Sequence, residues 1–283
     1  KQQEKAGDPM SESHISHDAA FEQKHVEDLE RIRGFRLMDD DFMSKVFEDK
    51  SCAALLLRII LNRDDLTVQE VHGQHDLKNL QGRSVRLDIL ALDSANRAYN
   101  VEIQRSDRGA GAKRARYNSS LLDANLTHSG DSYSDLNETY IVFITERDIL
   151  KRGLPIYHID RVVRETGDIF EDEAHIIYVN SQIKDETALG KLMHDFFCTD
   201  ATEMYYSTLA DRVRYFKEDT KGVANMCRAM EEMRNEAARE ATHAKAVAVA
   251  LSMLADEMPH DKIAKYSGLS LDEIATLSQK RPA

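Results

Sequence analysis

Residues 86–104 read RLDILALDSANRAYNVEIQ, and the fold turns on how the two halves of this stretch pair. The two halves read as strands, and SAN at 94–96 supplies a short turn that would join them as a hairpin. Side chains alternate across a strand, so Glu102 and Gln104 share one face while Val101 and Ile103 share the other. On the preceding strand Asp88 alternates with Leu87 and Ile89. If Asp93 pairs with Arg97 around SAN, Asp88 stands directly opposite Glu102 and on its face. A slip of one residue separates the two acids.

Two like charges facing each other in a half-buried sheet repel, unless a proton or a cation resolves the repulsion. A hard divalent ion does so well, because it takes carboxylate oxygens together with water. The alternative is a solvent-facing hairpin whose acids pair with Arg86 and other surface bases, and spacing alone leaves both readings open.

Working outward, the pattern predicts further elements. A helix is expected to begin near Asp39–Asp41 and run through FMSKVFEDKSCAALLLRII, burying Phe42, Val46 and Phe47 and closing at Asn62. LTVQEVH (66–72) reads as a strand before the hairpin. GAGA (109–112) leads into a helix, KRARYNSSLLDAN, that stops before Gly130. YIVFIT (140–145) and HIIYVN (175–180) are buried-strand signals. Strand, strand, strand, helix, strand implies an α/β core with a mixed sheet and a helical crossover on one face. Residues 1–34 read as a polar arm or short helix and 35–221 as the α/β domain. Residues 222–283 read as a helical extension: one long amphipathic helix, then two short helices around Gly268. Ser270 and Glu273 would form a capping box there. A homodimer through the long helix is one expected assembly, and Met226, Met230 and Met233 are core or interface filler.

Composition narrows the function. A chain of 283 residues, 42% hydrophobic, can bury a substantial core. No apolar run approaches the roughly 20 residues of a membrane helix, and no signal-peptide pattern is present, so a cytoplasmic location is expected. Cys52, Cys198 and Cys227 are scattered without a CxxC, which argues for reduced thiols over a disulfide framework or zinc site. The net charge of −12 argues against wholesale nucleic-acid binding. Between Arg105 and Arg116, however, five bases stand against one acid, a patch that suits a phosphate backbone or a solvated helix face. His72 and His75, in HGQH, are expected on opposite faces of a strand, which disfavours a shared metal. The C-terminal helix pair has a helix-turn-helix outline but no basic recognition face, since Asp272 and Glu273 open its second helix.

The acids on adjacent strands, followed by a basic helix, resemble the PD-(D/E)XK nuclease superfamily, and more closely its recombination-promoting nuclease branch, also described as transposases. DDDFMSKVFED, LQGRSVRLDILALD, YNVEIQR and KRARYNSSLLDANL carry the resemblance, with YIVFITE and GLPIYHI following it more loosely. The resemblance implies a restriction-endonuclease-like core and a metal-dependent DNA endonuclease linked to recombination or transposition. It also implies a role for each residue. Asp88 and Glu102 would be catalytic metal ligands, the Ile103 carbonyl would complete the set, and the ion would be Mg2+ or another divalent cation such as Mn2+ or Ca2+. Asp41 resembles a supporting acid, with Glu48 a rival for that place. Arg105, Arg114 and Arg116 would contact DNA, although spacing lets at most one of Arg114 and Arg116 enter the site. Tyr117 would pack on the sheet or bond a phosphate.

Gln104 stands where the superfamily usually has lysine. A glutamine offers only a neutral donor and acceptor, so an arginine must supply the charge. Two other function classes therefore stay in view. One is a catalytically weak or inactive nuclease-fold interaction protein. The other is a DNA-binding transposition accessory that uses the basic helix without a metal.

Overall fold

The computed structural model describes residues 23, 24, 26–79, 84–105 and 109–279. Much of the arm expected over residues 1–34 lies outside them, and residues 26–34 are helical with Ile32 buried.

Between residue 39 and the sheet stand α1 (Asp40–Phe47) and α2 (Lys50–Leu61), where the apolar periodicity predicts a single helix. The break comes from Asp49, whose extended backbone lets its carboxylate accept from the Ser51 and Cys52 amides and cap a fresh helix. The buried face is as expected: Phe42, Val46 and Phe47 are fully enclosed. Asn62 closes α2 in the left-handed region, at φ 51°.

Strands β1 (Val68–Leu77), β2 (Val85–Asp93), β3 (Ala98–Gln104), β4 (Thr139–Thr145), β5 (Ile156–Ile159) and β6 (Ala174–Asn180) form one mixed sheet in the order β1-β2-β3-β4-β6-β5. β1, β2 and β3 are antiparallel, β3, β4 and β6 run parallel, and β5 closes the edge antiparallel to β6. α3 (Ala112–Leu126) makes the crossover between β3 and β4. It covers the face that carries Leu90, Ala98, Ile141, Phe143 and Tyr178, against its own Ala115 and Leu122. Tyr178 locks this layer, stacking on Phe143 at 5.4 Å and donating its hydroxyl to the Ala110 carbonyl at 2.8 Å.

The opposite face carries Ile89, Val101 and Ile103 and is covered by α1 and α2. A Cβ at Gly73, paired with Ile89, would sit 3.0 Å from the Ser44 carbonyl, so glycine sets how closely α1 approaches the sheet. α4 (Ala188–Asp195) and α5 (Ser207–Glu218) complete this layer through Phe47–Phe196 and Phe42–Phe216 ring contacts. Neither helix, nor β5, is evident from the sequence pattern.

The chain divides into two compact units, Lys1–Cys227 and Arg228–Ala283. α6 (Thr220–Ala255) is the long helix expected from its composition, and Met226 and Met230 on it are buried. In the second unit α7 (His260–Ser267) and α8 (Leu271–Gln279) pack Ile263, Leu269 and Ile274 with Ala250 and Leu254 of α6. Gly268 ends α7 at φ 77°, and the Ser270–Glu273 capping box is made in both directions. Among the described residues no helix is long and apolar enough to cross a membrane.

Candidate active site

The hairpin turn decides where the acids fall. Asp93 accepts from the Ala95 and Arg97 amides at 2.8 and 2.9 Å through one oxygen and from the Tyr99 hydroxyl at 2.8 Å through the other. Asn96 takes φ 61°, which closes a three-residue loop with the strand twist preserved. The ladder then pairs Leu92 with Ala98 and Ile89 with Val101. One step further along the same register lies Asp88 against Glu102. There the Asp88 carboxylate accepts the Ile103 amide at 2.8 Å, which ties it to the backbone beside Glu102.

Glu102 is fully buried beneath α3. Arg114, one turn into that helix, donates from Nη2 to Glu102 Oε2 at 2.7 Å and from Nη1 to the Gly109 carbonyl at 3.1 Å. The other carboxylate oxygen, Oε1, is buried with no hydrogen-bond partner. An unsatisfied anionic oxygen at this depth is costly. Burial, and then the charge of Glu102, pushes Asp88 up to about 8, against the pull of the Ile103 amide. Burial likewise pushes Glu102 up to about 7, opposed by the Arg114 charge. Both acids therefore hold protons far above the ordinary carboxylate range, and the Glu102 charge raises the cost of ionising Asp88.

A third acid acts on this pair from α1. Asp40 raises both Asp88 and Glu102. Its own carboxyl reaches solvent, yet partial desolvation and then neighbouring Asp41 raise its pKa too. Asp41 adjoins Asp40 in the first turn of α1. Glu48 faces elsewhere, paired with Lys45 at 2.7 Å and lying against Gly73 on β1.

Gln104, half-buried, lies against Gly109: a Cβ there would fall 1.4 Å from Gln104 Oε1. Gly109 thus serves two residues at once, its Cα making room for the Gln104 amide and its carbonyl holding Arg114. Arg114 enters the site and Arg116 stays exposed, the division that helix geometry anticipates. Arg105 is exposed and pairs with Asp39 at 2.7 Å. Tyr117 packs against the sheet core and accepts from the Asn79 amide at 3.0 Å.

The histidine expectation is corrected: the His72 and His75 rings lie 5.5 Å apart, with Gln74 between them at φ 48°.

Sequence reasoning passed over Asn100 and Asn118. Both are fully buried, and neither amide has a hydrogen-bond partner. Asn100 precedes Glu102 by two residues on the same face, and its amide lies close enough to favour the ionised carboxylate. Asn118 follows Arg114 by one helical turn. A polar residue two positions from a candidate ligand, in an otherwise apolar strand, was the available signal.

The donor set fits a hard divalent cation. It consists of carboxylate oxygens, one of them buried and unpartnered, in a pair whose repulsion a dication would relieve.

A mixed sheet that brings an aspartate and a glutamate from adjacent strands together beneath a crossover helix defines a nuclease fold of the PD-(D/E)XK type. The chain belongs to the PD-(D/E)XK nuclease family transposases, whose family model matches residues 48–189, half of the chain. Asp88, Glu102, Gln104 and Arg114 fall inside that span, and Asp40 falls before it. Nucleases of this superfamily generally act with divalent metal ions. Among curated proteins and among solved structures, none matches the chain significantly.

Proposed function

We propose that this chain is a divalent-cation-dependent DNA endonuclease acting in recombination or transposition. The observation that carries the reading is the pairing of Asp88 with Glu102, whose Oε1 is buried and unpartnered. Asp88, Glu102 and the Ile103 carbonyl would hold the ion, with Mg2+ or Mn2+ the best match to oxygen donors. When bound, such an ion supplies Lewis-acid polarisation of a phosphate oxygen and lowers the pKa of water.

The remaining work falls to the protein's own groups. Arg114 offsets the acidic charge and keeps a partly exposed guanidinium, with 39% of its side chain accessible, where the superfamily's lysine charge is missing. Gln104, with one donor and one acceptor face, orients the attacking water, and its contact with Gly109 limits its rotamers. Asp40 adds negative charge that strengthens cation binding from outside the strands. Arg105 and Arg116 are exposed and suited to a phosphate backbone, so binding should weaken steeply with salt.

Nicking of supercoiled plasmid, with Mg2+ or Mn2+ and with chelator, tests the proposal. Cation-dependent nicking that disappears in Asp88→Asn and in Glu102→Gln, at unchanged folding, supports it. Nicking that survives both substitutions removes it.

A further inference from the structure

We propose that His194, Asp195 and Cys198 form a second metal site, suited to Zn2+ or a similar borderline ion and separate from the carboxylate pair on β2 and β3. The three lie where α4 ends, in the sequence HDFFC, beyond the residues that the nuclease family model matches. The chain continues to turn past α4, with the Phe197 amide bonding the His194 carbonyl and the Cys198 amide bonding the Asp195 carbonyl. That turn brings the side chains of residues 194 and 198 together, as on a helix face.

The ligand atoms are already close. One atom from each of the three residues lies within 4.8 Å of the others, and among the described residues this is the cluster of His, Cys and acidic groups with that property. His194 Nδ1 is 3.3 Å from Asp195 Oδ1 and 3.5 Å from Cys198 Sγ. Zinc bonds of about 2.3 Å to sulfur and about 2.0 Å to nitrogen or oxygen, at tetrahedral angles, separate ligand atoms by about 3.3–3.5 Å. The two separations from His194 Nδ1 match that spacing, and the third pair lies within 4.8 Å.

The surroundings behave like the outer support of a metal ligand set. Asp195 is fully buried, and its two oxygens accept the Tyr205 and Tyr206 amides at 2.8 and 2.9 Å, which fixes its orientation and leaves each oxygen a second lone pair. The Tyr205 ring packs edge-on to His194 at 4.8 Å. His194 is half-exposed and opens the cluster to solvent, while Cys198 is buried. The end of α4 also presents the negative pole of the helix to a cation.

Mixed sulfur, nitrogen and oxygen donors favour a borderline ion over Mg2+. Three protein ligands leave a fourth position for water. Without metal, the Cys198 thiol donates to the His194 carbonyl at 3.5 Å. Binding forms the sulfur–metal bond, breaks the S–H bond and releases that proton to the buffer.

Cobalt titration of the full chain tests the site, because only a thiolate ligand produces sulfur-to-cobalt charge-transfer absorption in the near ultraviolet. The wild type and the Asp88→Asn/Glu102→Gln chain should both show the band at one equivalent of Co2+, and Zn2+ should bleach it. Cys198→Ser and His194→Gln should each lose the band, with affinity falling at least about tenfold. His194→Gln alters a half-exposed side chain and decides the matter if Cys198→Ser fails to fold. Absence of the band in the wild type overturns the proposal. So does a band that persists in His194→Gln, since its thiolate would then come from Cys52, Cys227 or an altered cluster.

Discussion

Arg114 grips one oxygen of Glu102 at 2.7 Å from the crossover helix and leaves the other oxygen buried without a partner. The pair is lopsided: Glu102 is fully enclosed, and Arg114 has 39% of its side chain in reach of solvent. One guanidinium cannot neutralise the charge of Glu102, Asp88 and Asp40 together.

Removing the guanidinium should therefore harm both folding and catalysis. Arg114→Met is expected to cost about 1–2 kcal/mol at pH 8, less than for a fully buried pair because the arginine is partly hydrated. It should also slow nicking on the order of 10²-fold. Arg114→Lys should recover part of the stability and part of the rate. Chemical denaturation and plasmid nicking measure the two effects separately.

The raised pKa values of Asp88 and Glu102 set a pH dependence. In the folded chain both acids bind protons more tightly than in the unfolded chain. Their contribution to stability is complete below about pH 4 and is lost progressively as pH rises from there to the folded values of about 7 and 8. Without divalent cation, the melting temperature of the wild type should thus fall from pH 5 to pH 8.5 more steeply than that of Asp88→Asn. Adding Mn2+ should restore the wild type most at the alkaline end. Parallel curves for the two proteins would contradict this.

Gly109→Ala places a methyl group where the Gln104 amide lies. The amide is the far end of a flexible side chain, so it can swing away at little cost in stability. Nicking should fall about tenfold, since orientation of the water is lost. In a Gln104→Ala background the same change should have almost no further effect, and a double-mutant cycle reads the difference.

Asp49→Ala should destabilise the fold by about 1 kcal/mol through loss of the α2 cap. Cation-dependent nicking measured well below the melting temperature should stay unchanged, which separates the scaffold from the site.

The hairpin was legible because its chemistry is local. Asp93 and a three-residue loop with Asn96 able to take a left-handed backbone favour one of the registers open to the pair, and the observed ladder from Leu92–Ala98 to Ile89–Val101 follows it. The parallel pairing of β3 with β4 followed from a helix between two strand signals. Other features depend on chain neighbours far away in sequence. Asp40 and Asp41 are equivalent in pattern, and only the seating of α1 on the sheet makes Asp40 the acid that acts on both strands. The division between α1 and α2 was hidden because the apolar period runs through Asp49 almost unbroken. The approach of His72 to His75 coincides with a left-handed backbone at Gln74, which strand periodicity does not encode.

The heat of Mn2+ binding at pH 8, compared between the wild type, Asp88→Asn and Glu102→Gln, bears most directly on the two facing acids. Each substitution should abolish one equivalent of binding while the circular dichroism spectrum is unchanged. Full wild-type binding in both variants would contradict this.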